Sequence, residues 1–472
     1  MATTPNILWI CPDQQRADTI AALGNPVINT PNIDGLVEDG VAFTNAYTQN
    51  PLCQPSRASF LTGRYPRTVG IRQNGQKKFP DNEKLITKEL SESGYQCGLV
   101  GKLHLSAAQG RVEPRPDDGY SFFRWNHDPG PDPSSIEKDD YHKWLAKKGV
   151  KYEELYEPGK HPAYNGMPAE LHQTTWAAEQ AMEFVEEADE PWLLSLNIFD
   201  PHHPFDPPKK YFDKLKRKSV PDPGYEEGEL ATKPFPQSVD HEGAYGGSGI
   251  SFADLAPKER KNITRAYYAM IEGIDRQVGR IINMLEEIGE RENTLVIYMS
   301  DHGEMLGDHG IYLKGPYFYE GSANVPLIFS WPSRLKSGIS SDALVELVDI
   351  YPTVLDLLGR EIPERVQGKS FKDLLLGQTD THRSTVYSEN YNSQAHKYRG
   401  EDIYATMVRD QSHKLTVYHG FNTGELYDLR SDPGEYENLW NKKQKKRNEL
   451  LKKGFDRSIF NLDPLPKRVT PW

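Results

Sequence analysis

The sequence predicts an α/β fold with a mostly parallel central sheet flanked by helices, followed by a smaller C-terminal α+β subdomain. Short apolar runs typical of strands alternate with longer helical patterns over most of the chain, the arrangement of a sheet covered by helices. After Leu376 the pattern changes to short, closely spaced strands and one charged helix. We therefore predict two domains, residues 1–380 and 381–472.

The elements of the first domain follow from hydrophobic periodicity. Predicted strands lie at 6–11, 96–101, 192–199, 294–300 and 326–330, and predicted helices at 83–93, 173–187, 257–288 and 344–358. In the second domain we predict antiparallel strands at 385–389, 404–409 and 414–419 and a helix at 442–453. Residues 204–252 are rich in Pro, Gly and charge and predict a long surface excursion that shapes a substrate entrance.

Composition narrows the classes of function. Of the 472 residues, 37% are hydrophobic and 26% charged, as in globular enzymes, and no apolar run of about 18 residues predicts a membrane span. The net charge of −12 argues against nucleic acid as a partner but permits a small anionic substrate. The chain begins without the pattern of a signal peptide, so we expect a cytoplasmic location as it stands, or a periplasmic or secreted one if a signal precedes this sequence.

Polar clusters follow four of the predicted strands. They are Pro12-Asp13-Gln14, Lys102-Leu103-His104, Asp200-Pro201-His202-His203-Pro204 and Asp301-His302-Gly303-Glu304. A lone Asp after a strand usually caps a helix, and a lone His usually forms an ordinary hydrogen bond in a loop. Because the carboxyl ends of parallel strands share one edge of a sheet, where ligands bind, four such clusters together predict a functional site.

The residue types indicate the chemistry of that site. Two carboxylates, an amide oxygen and an imidazole suit Ca²⁺, Mg²⁺ or Mn²⁺, and these candidate ligands are Asp13, Gln14, Asp301 and His302. Such an ion polarises an anionic ester oxygen and activates a nucleophile. Positive charge and proton donors for an oxyanion and its leaving group come from Lys102, His104, His202 and Lys314.

The three cysteines are too few for a disulfide framework. Cys11 and Cys97 lie in apolar runs and are predicted core residues, whereas Cys53 lies in a polar, Pro-rich segment. Pro55 fits the first turn of a helix, which places Cys53 just before the positive helix end and Arg57 one turn further on. On these residues alone, an ordinary thiolate of low pKa explains the segment equally well.

The segment resembles the signature of the type I, formylglycine-dependent sulfatases of the alkaline phosphatase-like superfamily. Cys53-x-Pro55-x-Arg57, four further residues and Thr62-Gly63-Arg64 match that signature at every defined position. The resemblance also covers 6–50, 94–104, 201–205, 295–313 and 325–326, and weakly 425–429 and 432–433. It implies a hydrolase of sulfate monoesters, and the 25 Tyr and 8 Trp residues favour a carbohydrate sulfate.

The resemblance also implies the roles of individual residues. A separate maturation enzyme oxidises Cys53 to formylglycine, and one hydroxyl of its hydrate attacks sulfur while the other later expels sulfate. Arg57 steadies this diol and His104 takes the proton that breaks the covalent intermediate. The sulfate oxygens are held by Lys102, His202 and Lys314, with His202 or Lys314 as the acid. One divalent cation, Ca²⁺ before Mg²⁺ or Mn²⁺, is held by Asp13, Gln14, Cys53, Asp301 and His302.

Two positions depart from the usual sulfatase pattern. Gln14 stands where a second Asp is usual and His302 where Asn is frequent, which weakens the preference for Ca²⁺. The same pair occurs in the related phosphonate monoester hydrolases and phosphodiesterases, the first alternative. Lys102-x-His104 has the sulfatase form, however, and we give this lysine more weight. The second alternative is a catalytically silent protein that binds sulfated glycans, which would keep Cys53 unconverted.

Overall fold

The computed structural model describes residues 4–108, 112–128, 138–155, 167–394 and 396–463. Their strands form sheets of eight, two and four strands. In chain order the strands are β1 (Asn6–Ile10), β2 (Gly40–Phe43), β3 (Ala46–Tyr47), β4 (Gln96–Gly101), β5 (Phe122–Trp125), β6 (Trp192–Asn197), β7 (Thr294–Met299), β8 (Leu327–Ser330), β9 (Ile339–Ser341), β10 (Val345–Glu346), β11 (Val386–Tyr391), β12 (Tyr404–Arg409), β13 (His413–His419) and β14 (Thr423–Asp428).

The eight-stranded sheet has the order β5-β4-β6-β1-β7-β8-β2-β9. Neighbouring strands are parallel from β5 to β7, while β8 pairs antiparallel with both β7 and β2. All five residues of β1 are buried at the centre of the sheet, because a strand covered on both faces needs an unbroken apolar run. The mostly parallel sheet predicted from the sequence is confirmed.

Helices cover both faces of this sheet. Helices of eight or more residues are Pro31–Glu38, Cys53–Thr62, Asp140–Lys147, Gln173–Glu187, Phe235–Glu242, Pro257–Glu287, Ile350–Leu357 and Gln444–Phe460. Shorter helices include Pro66–Val69, Ile86–Ser91, Tyr152–Leu155, Lys209–Leu215, Glu320–Ala323 and Lys372–Leu375. One face of β1 packs Ile7 and Trp9 against Phe60 of the helix at Cys53. The other packs Leu8 and Ile10 in the cluster that holds Ile274.

One predicted helix was wrong over its first part. Residues 344–358 were expected to be helical throughout, but the structure has β10, a 3₁₀ turn at Leu347–Asp349 and only then the helix Ile350–Leu357. The start of this segment is extended because Val345 pairs with Ala46 in the two-stranded sheet. This pairing joins residues about 300 positions apart, so tertiary structure overrides the local pattern.

The excursion at 204–252 is more ordered than a surface loop. It contains the helices Lys209–Leu215 and Phe235–Glu242, and Phe205, Tyr211 and Phe252 are buried in a cluster with residues of the helix Pro257–Glu287. Among the described helices, none is long and apolar enough to cross a membrane.

The C-terminal layer is an antiparallel sheet in the order β11-β12-β13-β14. The helix Gln444–Phe460 packs on it, with Val408, Leu415, Leu426 and Leu450 buried together. This agrees with the predicted α+β subdomain, although β14 was missed and the helix is longer than predicted. The domain boundary at 380–381 stays a prediction.

Candidate active site

The carboxyl ends of β4, β6, β1 and β7 lie side by side, because these strands are consecutive in the sheet. The polar clusters that follow them converge on the first turn of the helix Cys53–Thr62. The structure brings together all of the predicted site residues: Asp13, Gln14, Cys53, Arg57, Lys102, His104, His202, Asp301, His302 and Lys314.

Cys53 is the first residue of its helix and only 2% exposed. Its Sγ lies 3.0 Å from His302 Nε2 and 3.1 Å from Lys314 Nζ. Burial acts to raise the pKa of the Cys53 thiol, but the charges of Lys102, Lys314 and His302 outweigh it and hold that pKa well below its ordinary value. This side chain is therefore set in a strongly cationic environment, unlike Cys11 and Cys97, whose thiol pKa values are raised by burial.

Arg57 lies one helical turn beyond Cys53 and is also buried. Its Nε donates to Asp301 Oδ2 at 2.8 Å, and its Nη2 lies 3.3 Å from Asp13 Oδ2. Its Nη1 donates to the carbonyl of Lys102 at 2.9 Å. The guanidinium thus fastens the helix to the ends of three strands, a use for which its fixed fork of donors is suited.

Four side chains form a cluster that could hold a metal ion. The ligand atoms of Asp13, Cys53, Asp301 and His302 all lie within 4.8 Å of one another and are buried. His302 Nδ1 faces its neighbour's carbonyl, Gly303 O, at 2.9 Å, which leaves Nε2 facing Cys53. A hydrogen bond at one ring nitrogen orients the imidazole so that its other nitrogen can bind a metal. Two carboxylates, a sulfur and an imidazole fit a divalent cation by their chemistry.

The two carboxylates of this cluster are held by cations. Burial acts to raise the pKa of Asp13, yet Lys102, His202 and Lys314 bring it far below its usual range. Lys102 Nζ lies 2.5 Å from Asp13 Oδ2. Asp301 Oδ1 accepts the backbone N–H of Gln14 at 3.1 Å. Both carboxylates are therefore fixed in position before any ion binds.

Gln14, the remaining predicted ligand, has a left-handed backbone with φ of 73°. Its Oε1 accepts from Lys314 Nζ at 2.6 Å, and its Nε2 donates to the carboxylate of Glu304. Glu304 also accepts the backbone N–H of Leu306 at 2.9 Å and that of Leu313, and burial raises its pKa. Glu304 was seen in the sequence only as part of a polar cluster, and its role in holding Gln14 was missed.

His104 follows β4 and His202 follows β6, and both lie close enough to Cys53 to interact with it electrostatically. Burial, together with Lys102, lowers the pKa of His104, and burial, together with Lys314, lowers that of His202. An imidazole that is neutral near pH 7 can accept a proton, as a general base must. The site therefore combines two imidazoles whose pKa is lowered with the side chains of two lysines around one nucleophilic position.

Two segments distant in sequence from the strand ends also contact residues of the site. Tyr245, from the excursion at 204–252, has φ of 59°; its ring lies 5.9 Å from that of His203 and stacks on His396 at 5.9 Å. Gln394 from the C-terminal layer donates to the carbonyl of Lys314 at 2.6 Å. The C-terminal layer thus helps to position a site residue, which no local pattern could have predicted.

Comparison with known proteins identifies the family. The family model "Sulfatase" matches residues 5–360, and the model "N-sulphoglucosamine sulphohydrolase, C-terminal" matches residues 307–458. The chain belongs to the sulfatase family. An arylsulfatase from Clostridium perfringens (strain 13 / Type A) is 34% identical, the alignment covering 95% of this chain and 93% of the relative. The sulfatase family of the alkaline phosphatase-like superfamily, predicted from the signature at Cys53, is thus confirmed.

Two further comparisons concern the substrate. This sulfatase is 27% identical to an N-acetylglucosamine-6-O-sulfatase from Bacteroides thetaiotaomicron, over 95% of this chain and 85% of the relative. Its fold matches that of the phosphonate monoester hydrolase of Agrobacterium radiobacter with a TM-score of 0.83 and 25% identity, covering 97% and 96% of the two chains. The chain is an enzyme that hydrolyses sulfate esters.

Proposed function

We propose that this sulfatase hydrolyses the sulfate monoester of a carbohydrate, with a formylglycine made from Cys53 as its nucleophile. The proposal rests above all on Cys53, the first residue of its helix. Its Sγ lies 3.0 Å from His302 Nε2 and 3.1 Å from Lys314 Nζ. The similarity to an N-acetylglucosamine-6-O-sulfatase supports a saccharide as the alcohol that carries the sulfate. The ring of Tyr245, which lies 5.9 Å from that of His203, offers the kind of surface on which a sugar packs.

A formylglycine-generating enzyme is the partner that this proposal requires. It would convert the Cys53 side chain to an aldehyde, whose hydrate carries two hydroxyl groups. One hydroxyl gives its proton to a carboxylate of the buried cluster as its oxygen attacks sulfur in line. The bond from sulfur to the ester oxygen breaks, and the alcohol leaves with a proton from His202 or Lys314. The second hydroxyl then gives its proton to His104, the carbonyl reforms and sulfate departs.

The charges around residue 53 match these two steps. Lys314 Nζ lies 3.1 Å from Cys53 Sγ, and Lys102 is buried beside Asp13. With His202, they form the group that we propose binds the sulfate oxygens. Donors already fixed in a site that excludes water stabilise a developing negative charge more strongly than they would in bulk water. Arg57, held by Asp301, is proposed to steady the hydrated nucleophile.

We also propose that Asp13, Gln14, Asp301, His302 and residue 53 hold one divalent cation, Ca²⁺ first and Mg²⁺ or Mn²⁺ as alternatives. The fit rests on the four ligand atoms that lie within 4.8 Å of one another. When bound, such an ion polarises an anionic ester oxygen as a Lewis acid. Gln14 in place of a carboxylate leaves the ligand set with less negative charge, so we expect metal affinity to be moderate.

A phosphonate monoester or phosphodiester is the second candidate substrate. It is favoured by the pair Gln14 and His302, and by the likeness in fold to a phosphonate monoester hydrolase. Lys102 favours sulfate instead, since its ammonium is compact and suits an oxygen of the transferred group. In a phosphonate or phosphodiester an organic substituent replaces one such oxygen.

The test is to measure kcat/KM of the matured protein on N-acetylglucosamine 6-sulfate, an aryl sulfate, an aryl phosphodiester and an aryl phosphonate. We expect a sulfate ester to have the highest value, and chelation to remove activity that a divalent cation then restores. A higher value for the phosphonate or the phosphodiester would contradict the proposal. So would binding of the sulfated sugar without turnover in protein whose residue 53 is fully converted.

A further inference from the structure

One buried carboxylate holds the turn that follows β4. Glu113 is 3% exposed. Its Oε1 accepts the backbone N–H of His104 at 2.8 Å and the indole Nε1–H of Trp125 at 3.0 Å. Its Oε2 accepts the backbone N–H groups of Leu105 at 3.0 Å and Ser106 at 3.3 Å. Three successive backbone donors and one side-chain donor therefore converge on a single side chain.

The backbone that Glu113 binds is an unusual one. His104 has φ of 52°, a left-handed conformation that non-glycine residues rarely adopt and that persists only where the surroundings enforce it. Successive N–H groups around such a residue form a concave site for an anion. An ionised carboxylate can satisfy all four donors, whereas a carboxamide would present its own N–H groups to two of them.

Within the described part of the chain, the His104 imidazole is not oriented by a hydrogen bond at Nδ1. Among the described residues, His104 Nδ1 is buried without a hydrogen-bond partner. A catalytic imidazole is usually oriented by a hydrogen bond at the nitrogen that faces away from the reaction. Here the ring direction must follow from the backbone and from ring packing.

Glu113 controls the ring packing as well as the backbone. The Trp125 ring, whose N–H it accepts, stacks on His127 with centroids 6.4 Å apart. The His127 ring in turn meets that of His104 edge to face at 4.5 Å and 80°. One carboxylate thus fixes both the main chain of His104 and the wall against which its imidazole rests.

We propose that Glu113 is a positioning residue that acts through His104, keeping the imidazole directed at residue 53. This rests on the proposed function in one respect, namely that His104 takes the proton in the second chemical step. Loss of the Glu113 carboxylate should then slow the breakdown of the sulfated intermediate and leave the initial attack on sulfur almost unchanged. A purely structural role would instead impair both steps together.

The experiment follows both steps in matured Glu113→Gln protein mixed rapidly with an aryl sulfate. We expect a burst of released alcohol at a rate within about threefold of the wild type, followed by turnover about 10- to 100-fold slower, the size expected for a misplaced catalytic group. Mass analysis should find sulfate attached at residue 53. His104→Ala, measured alongside, should show the same burst and adduct, and Glu113→Gln/His104→Ala should be no slower than His104→Ala alone.

A matched control is Asp275→Asn. Asp275 is also buried and accepts the backbone N–H groups of Asn32 at 2.9 Å and Ile33 at 2.8 Å, outside the active site. The Asp275→Asn variant should have a lower melting temperature but carry out both chemical steps at wild-type rates. Trp125→Phe removes one of the four donors to Glu113, and should slow breakdown by about three- to tenfold while keeping the burst, even if Glu113→Gln fails to fold.

The outcomes separate the two ideas. Suppose that His104→Ala gives the burst and the adduct. If Glu113→Gln then slows both chemical steps equally, or leaves both steps unchanged, the inference about Glu113 is wrong and the proposed function stands. If folded Glu113→Gln is unobtainable, breakdown at the wild-type rate in Trp125→Phe overturns the inference. If His104→Ala itself gives no burst and no adduct, the proposed role of His104 is wrong and the role of Glu113 fails with it.

Discussion

Two buried clusters in this molecule both combine carboxylates with arginine and histidine, but they differ in how their ligand atoms are arranged. The catalytic cluster comprises Asp13, Cys53, Arg57, Lys102, Asp301, His302 and Lys314. The junction cluster, where the C-terminal layer meets the catalytic domain, comprises Tyr65, Glu346, Asp349, His382, Arg383 and Arg457. Their carboxylates are buried in both clusters.

In the junction cluster each carboxylate is matched by fixed donors. Asp349 accepts from Arg383 through both oxygens, from the backbone N–H of Lys369 at 2.8 Å and of Glu346 at 3.1 Å. Glu346 accepts from Arg457 Nη2 at 2.7 and 2.9 Å. Burial acts to raise the pKa of Asp349, but Arg383 brings it well below its usual range.

The catalytic cluster also supplies donors to its carboxylates, but its ligand atoms converge on one point. Arg57 serves both of its carboxylates, yet four ligand atoms of different residues still face one another within 4.8 Å, and Cys53 Sγ lies among them. The difference teaches that buried charge does not by itself mark an active site. What marks it is a set of ligand atoms from different residues that converge around a nucleophilic position.

The largest effect should come from Cys53→Ala. Turnover should fall at least about a thousandfold, because alanine cannot supply the covalent nucleophile. The free energy of unfolding should change by only about 1 kcal/mol, since the side chain removed is small. Steady-state kinetics and denaturant unfolding of the same preparation measure the two effects, and activity within tenfold of the wild type would rule out Cys53.

Arg383→Met should show the opposite pattern. It leaves Asp349 buried with its main partner gone, which costs about 3–5 kcal/mol of folding free energy. We expect kcat at 25 °C within about threefold of the wild type. The double variant Asp349→Asn/Arg383→Met should recover part of the stability, because no unpaired charge then remains. A large fall in kcat for the folded single variant would mean that the junction also positions the nucleophile helix, and the comparison would fail.

Lys102→Ala tests the choice of substrate. Loss of one ammonium contact in a desolvated site costs about 2–4 kcal/mol in the transition state, so sulfate-ester hydrolysis should fall by about 30- to 1000-fold. Phosphodiester and phosphonate hydrolysis should fall less, which shifts selectivity toward them. The ratio of kcat/KM values between the two classes is the measurement. The assignment to sulfate would be contradicted if the wild type preferred phosphonates outright and Lys102→Ala lowered kcat/KM equally for both substrate classes.

The smallest predicted effect concerns Asp240, a buried carboxyl group outside both clusters. Burial raises its pKa to about 7, although the backbone N–H of Gly246 and the hydroxyls of Tyr398 and Tyr317 donate to it. A raised carboxyl pKa means that the folded protein binds more protons than the unfolded chain between about pH 4 and 7. Its contribution to stability is therefore lost as pH rises through about 7.

Asp240→Asn cannot ionise, so its free energy of unfolding relative to the wild type should improve by about 1–3 kcal/mol between pH 5 and pH 8. Denaturant unfolding at both pH values measures this difference. Glu389→Gln also replaces a buried carboxyl group whose pKa is raised to about 7 by burial. Its free energy of unfolding relative to the wild type should change with the same sign. A constant difference between Asp240→Asn and wild type across this range would refute the prediction.

Much of the fold followed from the sequence because the central strands are buried on both faces and form continuous apolar runs. The strands that were missed are short, such as β3 and β10 with two residues each, or lie toward the sheet edges, such as β5 and β9. The antiparallel direction of β8 also could not be predicted, since a strand of four residues carries no sign of its orientation.

The predicted site residues came from polar clusters at strand ends and from one long signature, and the structure places them together. Glu113 and Gln394 were not predicted, and Glu304 was noted only as part of a polar cluster. All three act through hydrogen bonds to groups distant in sequence or to the backbone. Such contacts depend on tertiary structure and have no periodic pattern.

The most direct test of the central claim is the mass of the peptide that contains residue 53, measured together with sulfate-ester turnover. Protein produced with graded amounts of a formylglycine-generating enzyme would give preparations converted to different extents. We predict a peptide mass lowered by the change from cysteine to formylglycine, raised again by one water on hydration, and turnover in proportion to the converted fraction. Full turnover by protein whose Cys53 is entirely unconverted, or none by fully converted protein supplied with metal, would contradict the account.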